Sequence, residues 1–217
     1  MSKTDGLIDE LCGTLQPVKR LRSPYLRAAF WLGVTAILAA ILVARFADMP
    51  TFVRREGADT KLEVETVATL VTGILAVLAA FMVSLPDRPR AWLLLPVPSF
   101  ALWLGSSSYG CWRHWIAGGR SGLEMGEGLH CFTWIVALGI PLGISLFLLL
   151  RRARPLAPAP VAAMAGLGAA SIAAFLLQFF HPFDVTFVDL GMHFAAVLTV
   201  VILARAACRP TLETKDR

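Results

Sequence analysis

Six stretches of this chain each hold about a helix-length of apolar residues with almost no charge: 28–46, 64–85, 91–110, 131–150, 161–180 and 186–204. About 20 mostly apolar residues carry a helix across a hydrocarbon core roughly 30 Å thick. Lipid offers the backbone no hydrogen-bond partner, so each such run must satisfy its own N–H and C=O groups as a helix. The runs predict an all-α polytopic membrane protein. Its parts are a cytoplasmic N-terminal segment over 1–25, a bundle of six transmembrane helices within 26–207, and a cytoplasmic tail over 208–217. Composition excludes the soluble alternatives. Of 217 residues, 57% are hydrophobic and only 16% charged, too little polar material to cover a water-soluble globule. Four cysteines cannot staple a chain of this length as a disulfide scaffold.

The first run ends near Arg45, whose aliphatic stem can reach the interface. Its 27 preceding residues, and the lack of a small-x-small site after it, argue for a retained helix rather than a signal peptide. Pro96 and Pro98 in the third run and Pro141 in the fourth predict kinks. The connections 47–63 and 111–130 read as the longest outer loops, and 151–160 as an extended, Pro-rich linker. Gly139 and Gly143 form a GxxxG pattern suited to close helix packing.

Charge sets the orientation. Most of the 20 Lys and Arg fall in the N-terminal tail (Lys3, Lys19, Arg20, Arg22, Arg27), the second connection (Arg88, Arg90), the fourth (Arg151, Arg152, Arg154) and the C-terminus (Arg205, Arg209, Lys215, Arg217). The positive-inside rule then puts both termini in the cytoplasm. The basic charges are scattered over short segments, which suits an anionic lipid surface and not direct nucleic-acid binding.

Leu7, Ile8, Leu11 and Leu15 fall on one face of an N-terminal helix, which Thr4 or Asp5 would cap and Pro17 would stop. The stripe fits two uses. It can lie on the membrane, with Lys19, Arg20 and Arg22 at the headgroups, or it can enter the groove of a protein partner. Asp5, Asp9 and Glu10 on the helix weigh toward the protein.

Cys111 and Cys131 map to the outer ends of the third and fourth spans, and His114, His130, His181 and His193 all map to the outer half. Thiolates with imidazoles suit zinc or copper, so a transient thiophilic metal is the one cofactor in view. A structural disulfide beside the aromatic belt of Trp112, Trp115 and Trp134 is the other reading. Cys12 and Cys208 fall on the reducing side. In the last span Asp189 and His193 share a face at i and i+4, with His181 and Asp184 just before it. They predict either a polar network that pins the last two helices or a proton or metal relay.

Catalysis has no support in the motifs. Gly105-Ser106-Ser107-Ser108-Tyr109-Gly110 lacks the second glycine of GxSxG, and no HExxH, CxxC, P-loop or dinucleotide glycine pattern occurs. The middle of each span reads as free of charge. A small transporter or metal-handling channel, with the His and Cys residues as its entry site, is the alternative to a regulator.

In their joint order, LIDELCGTLQPVKRLRSP, PDRPRAWLLLPVPSFALWL, GCWRHW, GLHCF, and HPFD followed by His193 resemble the NrsF-type family of bacterial membrane anti-sigma factors along almost the whole chain. The resemblance implies a non-catalytic regulator that sequesters an extracytoplasmic-function sigma factor through its N-terminal segment. It also implies that Cys111 and Cys131 sense redox or metal stress on the outside.

Overall fold

The computed structural model describes residues 3–13, 15, 20–57, 60–118, 125–180 and 187–207. Among the described residues the regular structure is helical, with eight α-helices: α1 (Lys3–Gly13), α2 (Pro24–Phe46), α3 (Met49–Glu56), α4 (Thr60–Val83), α5 (Val97–Gly118), α6 (Met125–Leu150), α7 (Pro158–Leu177) and α8 (Phe187–Ala207). Five segments are long and apolar enough to cross a membrane: Pro24–Phe46, Leu62–Val83, Gly128–Ala153, Pro158–Leu177 and Val188–Ala207. They correspond to the first, second, fourth, fifth and sixth apolar runs.

The third run departs from expectation. Its opening residues form a 3-10 turn, Arg90–Leu94, and α5 starts only at Val97. Pro96 and Pro98 supply no N–H, and two such prolines so close together favour a break in the helix before them. Proline is tolerated in a first turn, where that N–H has no helical partner. Helix α5 then runs on through Ser106, Ser107, Ser108 and Gly110 to Gly118, and these polar residues and glycines keep it out of the apolar set. The expected 111–130 loop is therefore mostly helix, the end of α5 and the start of α6. The 47–63 connection likewise contains α3, which Asp48 caps by accepting from the Thr51 N–H (3.3 Å) and hydroxyl (2.6 Å). These bonds hold the Asp48 carboxyl below its ordinary pKa, so the cap is present at neutral pH and is lost as acid protonates it. Pro141 lies inside an α6 that continues past it.

Helix α7 is the core element. Its sequence, PAPVAAMAGLGAASIAAFLL, is rich in Ala and Gly, and most of its residues are buried. It packs antiparallel to α4, where Gly73 and Gly168 meet. A Cβ on Gly168 would stand 2.7 Å from Val77 Cγ2 and 3.1 Å from the Val77 backbone nitrogen, and one on Gly73 would stand 2.9 Å from Ile172 Cγ1. On another side, a Cβ on Gly166 would lie 2.8 Å from Val201 Cα of α8. Gly139 of the GxxxG pattern faces Val200 of α8 and Ala170 of α7, and Gly143 faces Ala169. Without side chains at these points the backbones approach closely enough for dispersion to replace the hydrophobic effect, which lipid removes. Around this core, α5 packs on α4, with Thr72 Oγ1 2.9 Å from Ser99 Oγ. Helix α2 lies at the edge, where Trp31 Nε1 donates to Ser145 Oγ of α6 at 3.0 Å.

Gly168→Ala should cost about 1–3 kcal/mol, because its methyl overlaps both a side chain and a backbone atom. Thermal unfolding in detergent measures it. Adding Val77→Ala should recover part of the loss, since it removes the side-chain clash and leaves the backbone one.

Candidate functional site

The sequence-predicted residues fall into two groups at different places in the fold. In α1, Leu7, Ile8 and Leu11 are each more than half exposed. The helix ends at Gly13, four residues before Pro17. Leu15 therefore lies beyond the helix, although it too is exposed and its N–H reaches the Cys12 carbonyl at 3.3 Å. Glycine is the weakest helix former after proline, and its placement here explains the early stop.

The second group lies at the end of the bundle where α4, α6 and α8 begin. Cys111 and Cys131 are both inside helices and both buried, at 1% and 0% exposure. Cys131 packs with Ile135 of α6, Ala173, Ala174 and Leu177 of α7, and Ala196 of α8. One turn earlier on α6, Gly128 faces α8. A Cβ there would stand 3.2 Å from Asp189 Oδ1 and 3.1 Å from Met192 Cγ. Asp189 lies in the first turn of α8, where the helix dipole favours an anion, and is 2% exposed. His193 is also buried, and its Nδ1 lies 2.8 Å from the Asp189 carbonyl oxygen. A carbonyl only accepts, so Nδ1 carries the proton and Nε2 is the second ring position. Of the predicted polar residues, Asp189 and His193 thus share one face at the start of α8, with Asp189 turned toward Gly128 of α6. His181 and Asp184 lie outside the described residues, as do Cys208 and the side chain of His114. His130 is exposed, with its ring 6.5 Å from that of Trp134. Among the described residues no three His, Cys, Asp or Glu side chains are grouped to hold a metal ion.

One buried acid escaped the sequence reading. Glu65, placed at the edge of the second run, is 2% exposed in the second turn of α4. The signal was present as a polar stripe: Glu65, Thr69 and Thr72 recur at i, i+4 and i+7, and all three are buried. Thr69 returns its hydroxyl to the Glu65 carbonyl at 2.6 Å. Nearby, aromatic rings close the end of α7. Phe52 of α3 stacks on Phe179 with centroids 4.3 Å apart, and Trp134 of α6 meets Phe180 at 4.8 Å.

A helical bundle with five segments long and apolar enough to span a membrane, an exposed helix before the first of them and buried thiols in its interior defines a class: a small polytopic membrane protein without an enzyme's constellation among its described residues. The chain belongs to the NrsF family, whose model, described as negative regulator of sigma F, matches residues 11–213. No curated protein and no solved structure matches it. The family match starts within α1, so it includes Leu11 and Leu15 but not Leu7 or Ile8.

Burial orders the thiols. In a Cys208→Ser background, a water-soluble maleimide should label exposed Cys12 within minutes, and Cys111 and Cys131 only after denaturation. Mass spectrometry of the labelled peptides reads the order.

Proposed function

We propose that this protein is a membrane anti-sigma factor of the bacterial inner membrane that holds an extracytoplasmic-function sigma factor inactive through α1. The family match over residues 11–213 carries the reading. The exposed apolar face of α1 supports the choice of docking element. In this reading α5, the third apolar run, also crosses the membrane and brings the spans to six, both termini are cytoplasmic, and no reaction is catalysed. The outer-side signal is redox or metal stress read by Cys111 and Cys131. Oxidation would take two electrons and two protons from the pair, delivered to an external peroxide or disulfide. A thiophilic metal would instead displace the thiol protons. Either event shifts the bundle only to the extent that one arrangement of the helices favours it over the other. Helices α6, α7 and α8 meet around Cys131, so a change there is felt by the core helix.

The experiment is a pull-down of the solubilised protein with its sigma factor, in parallel with a reporter of the sigma-dependent promoter. Leu11→Asp puts a carboxylate in the docking face, where burial without a partner costs several kcal/mol. The variant should accumulate normally, lose the sigma factor and leave the promoter on. Full repression by Leu11→Asp would remove α1 as the docking element.

The thiol reading has its own outcome. Cys111→Ser, Cys131→Ser and the double variant should accumulate normally and lose the response to oxidant or metal alike, because one sulfur can neither close a disulfide nor complete a two-sulfur site. Equal loss of all three proteins from the membrane would make the pair a structural element instead, with a cost near 3 kcal/mol for a loop of this size.

A further inference from the structure

At the opposite end of the bundle, where α2 begins and α6 ends, positive charge collects, and among the described residues no carboxylate pairs with it. Arg27, in the first turn of α2, is half-buried, and its Nη2 donates to the Leu149 carbonyl in the last turn of α6. Its guanidinium also lies over the Phe81 ring of α4, 5.1 Å from the centroid. Directly after Leu149 and Leu150 come Arg151 and Arg152, exposed in the 3-10 turn Arg151–Ala153. Arg154 follows, also exposed, in a left-handed conformation at φ 46° that turns the chain toward α7. Arg152 is near enough for its charge to act on Arg27.

Neither element can neutralise this group from its own sequence. No Asp or Glu occurs between residues 11 and 47 or between 128 and 183. Asp87, in the α4–α5 connection, lies instead against Arg88, 3.7 Å from its Nε. The ring of Phe81 and the Leu149 carbonyl fix Arg27 in place, but neither carries a balancing charge. A bound anion would balance this charge.

The surroundings select the kind of anion. On the bilayer side of Arg27 the outward faces of both helices are apolar and exposed: Leu26 at 63%, Phe30 at 66% and Leu148 at 43%. The seam is closed just beneath by the Trp31–Ser145 hydrogen bond. A ligand here meets arginines at its head and a greasy wall directly below, at the ends of two membrane-spanning segments. A phospholipid matches both parts at once. An acidic protein surface or a free phosphate matches only the first.

We infer that Arg27, Arg151 and Arg152 form a headgroup site for an anionic phospholipid at the α2–α6 seam, with the acyl chains lying along Leu26, Phe30 and Leu148. Arg27 is the pre-positioned member, because two neighbours already fix its guanidinium. Arg151 and Arg152 supply exposed charge above it. Basic pockets between transmembrane helices recognise anionic headgroups through the same combination. The inference needs only that these helices sit in a bilayer, and it stands or falls apart from sigma-factor binding.

The test uses the full chain in a neutral detergent, titrated with short-chain phosphatidylglycerol, short-chain phosphatidylcholine or inorganic phosphate. Retained lipid is counted by native mass spectrometry, and stabilisation is followed by thermal unfolding. Phosphatidylglycerol should bind at least tenfold more tightly than phosphatidylcholine. Arg151→Gln with Arg152→Gln, both exposed and so harmless to folding, should weaken it by about 25-fold, at about fivefold per arginine. Arg205→Gln, at the end of α8, should leave it unchanged. Arg27→Lys, which keeps the charge but lacks the planar fork, should weaken retention as well. Equal binding of the two lipids would overturn the site, as would full phosphatidylglycerol binding by the double variant. Stabilisation by inorganic phosphate alone to the same extent would make it a small-anion site and overturn the lipid assignment. Loss of the sigma factor by the double variant, with phosphatidylglycerol binding intact, would give these arginines to the protein partner and overturn it too.

Discussion

The fold depends on how closely α4 and α7 approach one another. In lipid, two helices gain little by hiding apolar surface from each other, because the hydrocarbon is as good a neighbour as leucine. What remains is dispersion between closely fitted atoms, and that grows steeply as backbones come near. Gly73 and Gly168 permit the approach at the crossing. The same helix, α7, offers Gly166 to α8 and the Ala169–Ala170 surface to the glycines of α6. One Ala- and Gly-rich segment therefore sets the spacing of three others, and the larger side chains of Phe81, Ile135, Leu146, Leu150 and Leu177 fill what is left. Apart from Ile172, Leu176 and Leu177 toward its end, α7 contributes small residues, and its neighbours supply most of the bulk.

Polar groups follow from that arrangement. A hydroxyl in a membrane helix can return to its own backbone, as Thr69, Thr72, Thr133 and Thr199 do four residues back and Ser84, Ser106 and Ser145 three residues back. These side chains cost little to place. The ionisable groups Glu65, Asp189 and His193 are all buried within the first two turns of their helices, near one end of the bundle, and His193 too reaches the backbone four residues back. The exposed arginines of 151–154 occupy the other end. The molecule thus has chemically distinct ends joined by an apolar middle, an organisation suited to conditions that differ on its two sides.

Much of this was legible in the sequence, and the reasons differ by element. The apolar runs of α2, α4, α6, α7 and α8 stand out because lipid imposes a length on them that no other residue choice can meet. The Arg90–Leu94 turn and late start of α5 were hidden because hydropathy does not register the missing proline N–H groups. The 111–130 segment read as a loop because its glycines and charges are common to loops and to frayed helix ends. The GxxxG of Gly139 and Gly143 was visible as a pattern. The tighter contacts of Gly73, Gly166 and Gly168 involve residues on separate helices, and only the tertiary arrangement pairs them. Glu65 was overlooked for a related cause. A carboxylate near the edge of an apolar run is ordinarily a surface residue, and its inward direction is set by the helix phase of Thr69 and Thr72. For the thiols, residue type and end of the bundle were readable, whereas burial inside helices was not.

The contrast between α2 and α7 bears on how the chain is made. The hydrogen-bond partner of Trp31, Ser145, lies 114 residues further along, so α2 leaves the insertion machinery long before α6 exists. Its broad leucine, isoleucine and phenylalanine exterior lets it wait alone in the bilayer, solvated by acyl chains. Helix α7 has no such exterior, since its alanines and glycines offer lipid little to grip. It emerges, however, when α4 and α6 are already present to receive it. Synthesis order and packing order are therefore matched: the most enclosed of the long apolar helices arrives after two of the neighbours that surround it, and α8 follows to close the remaining side.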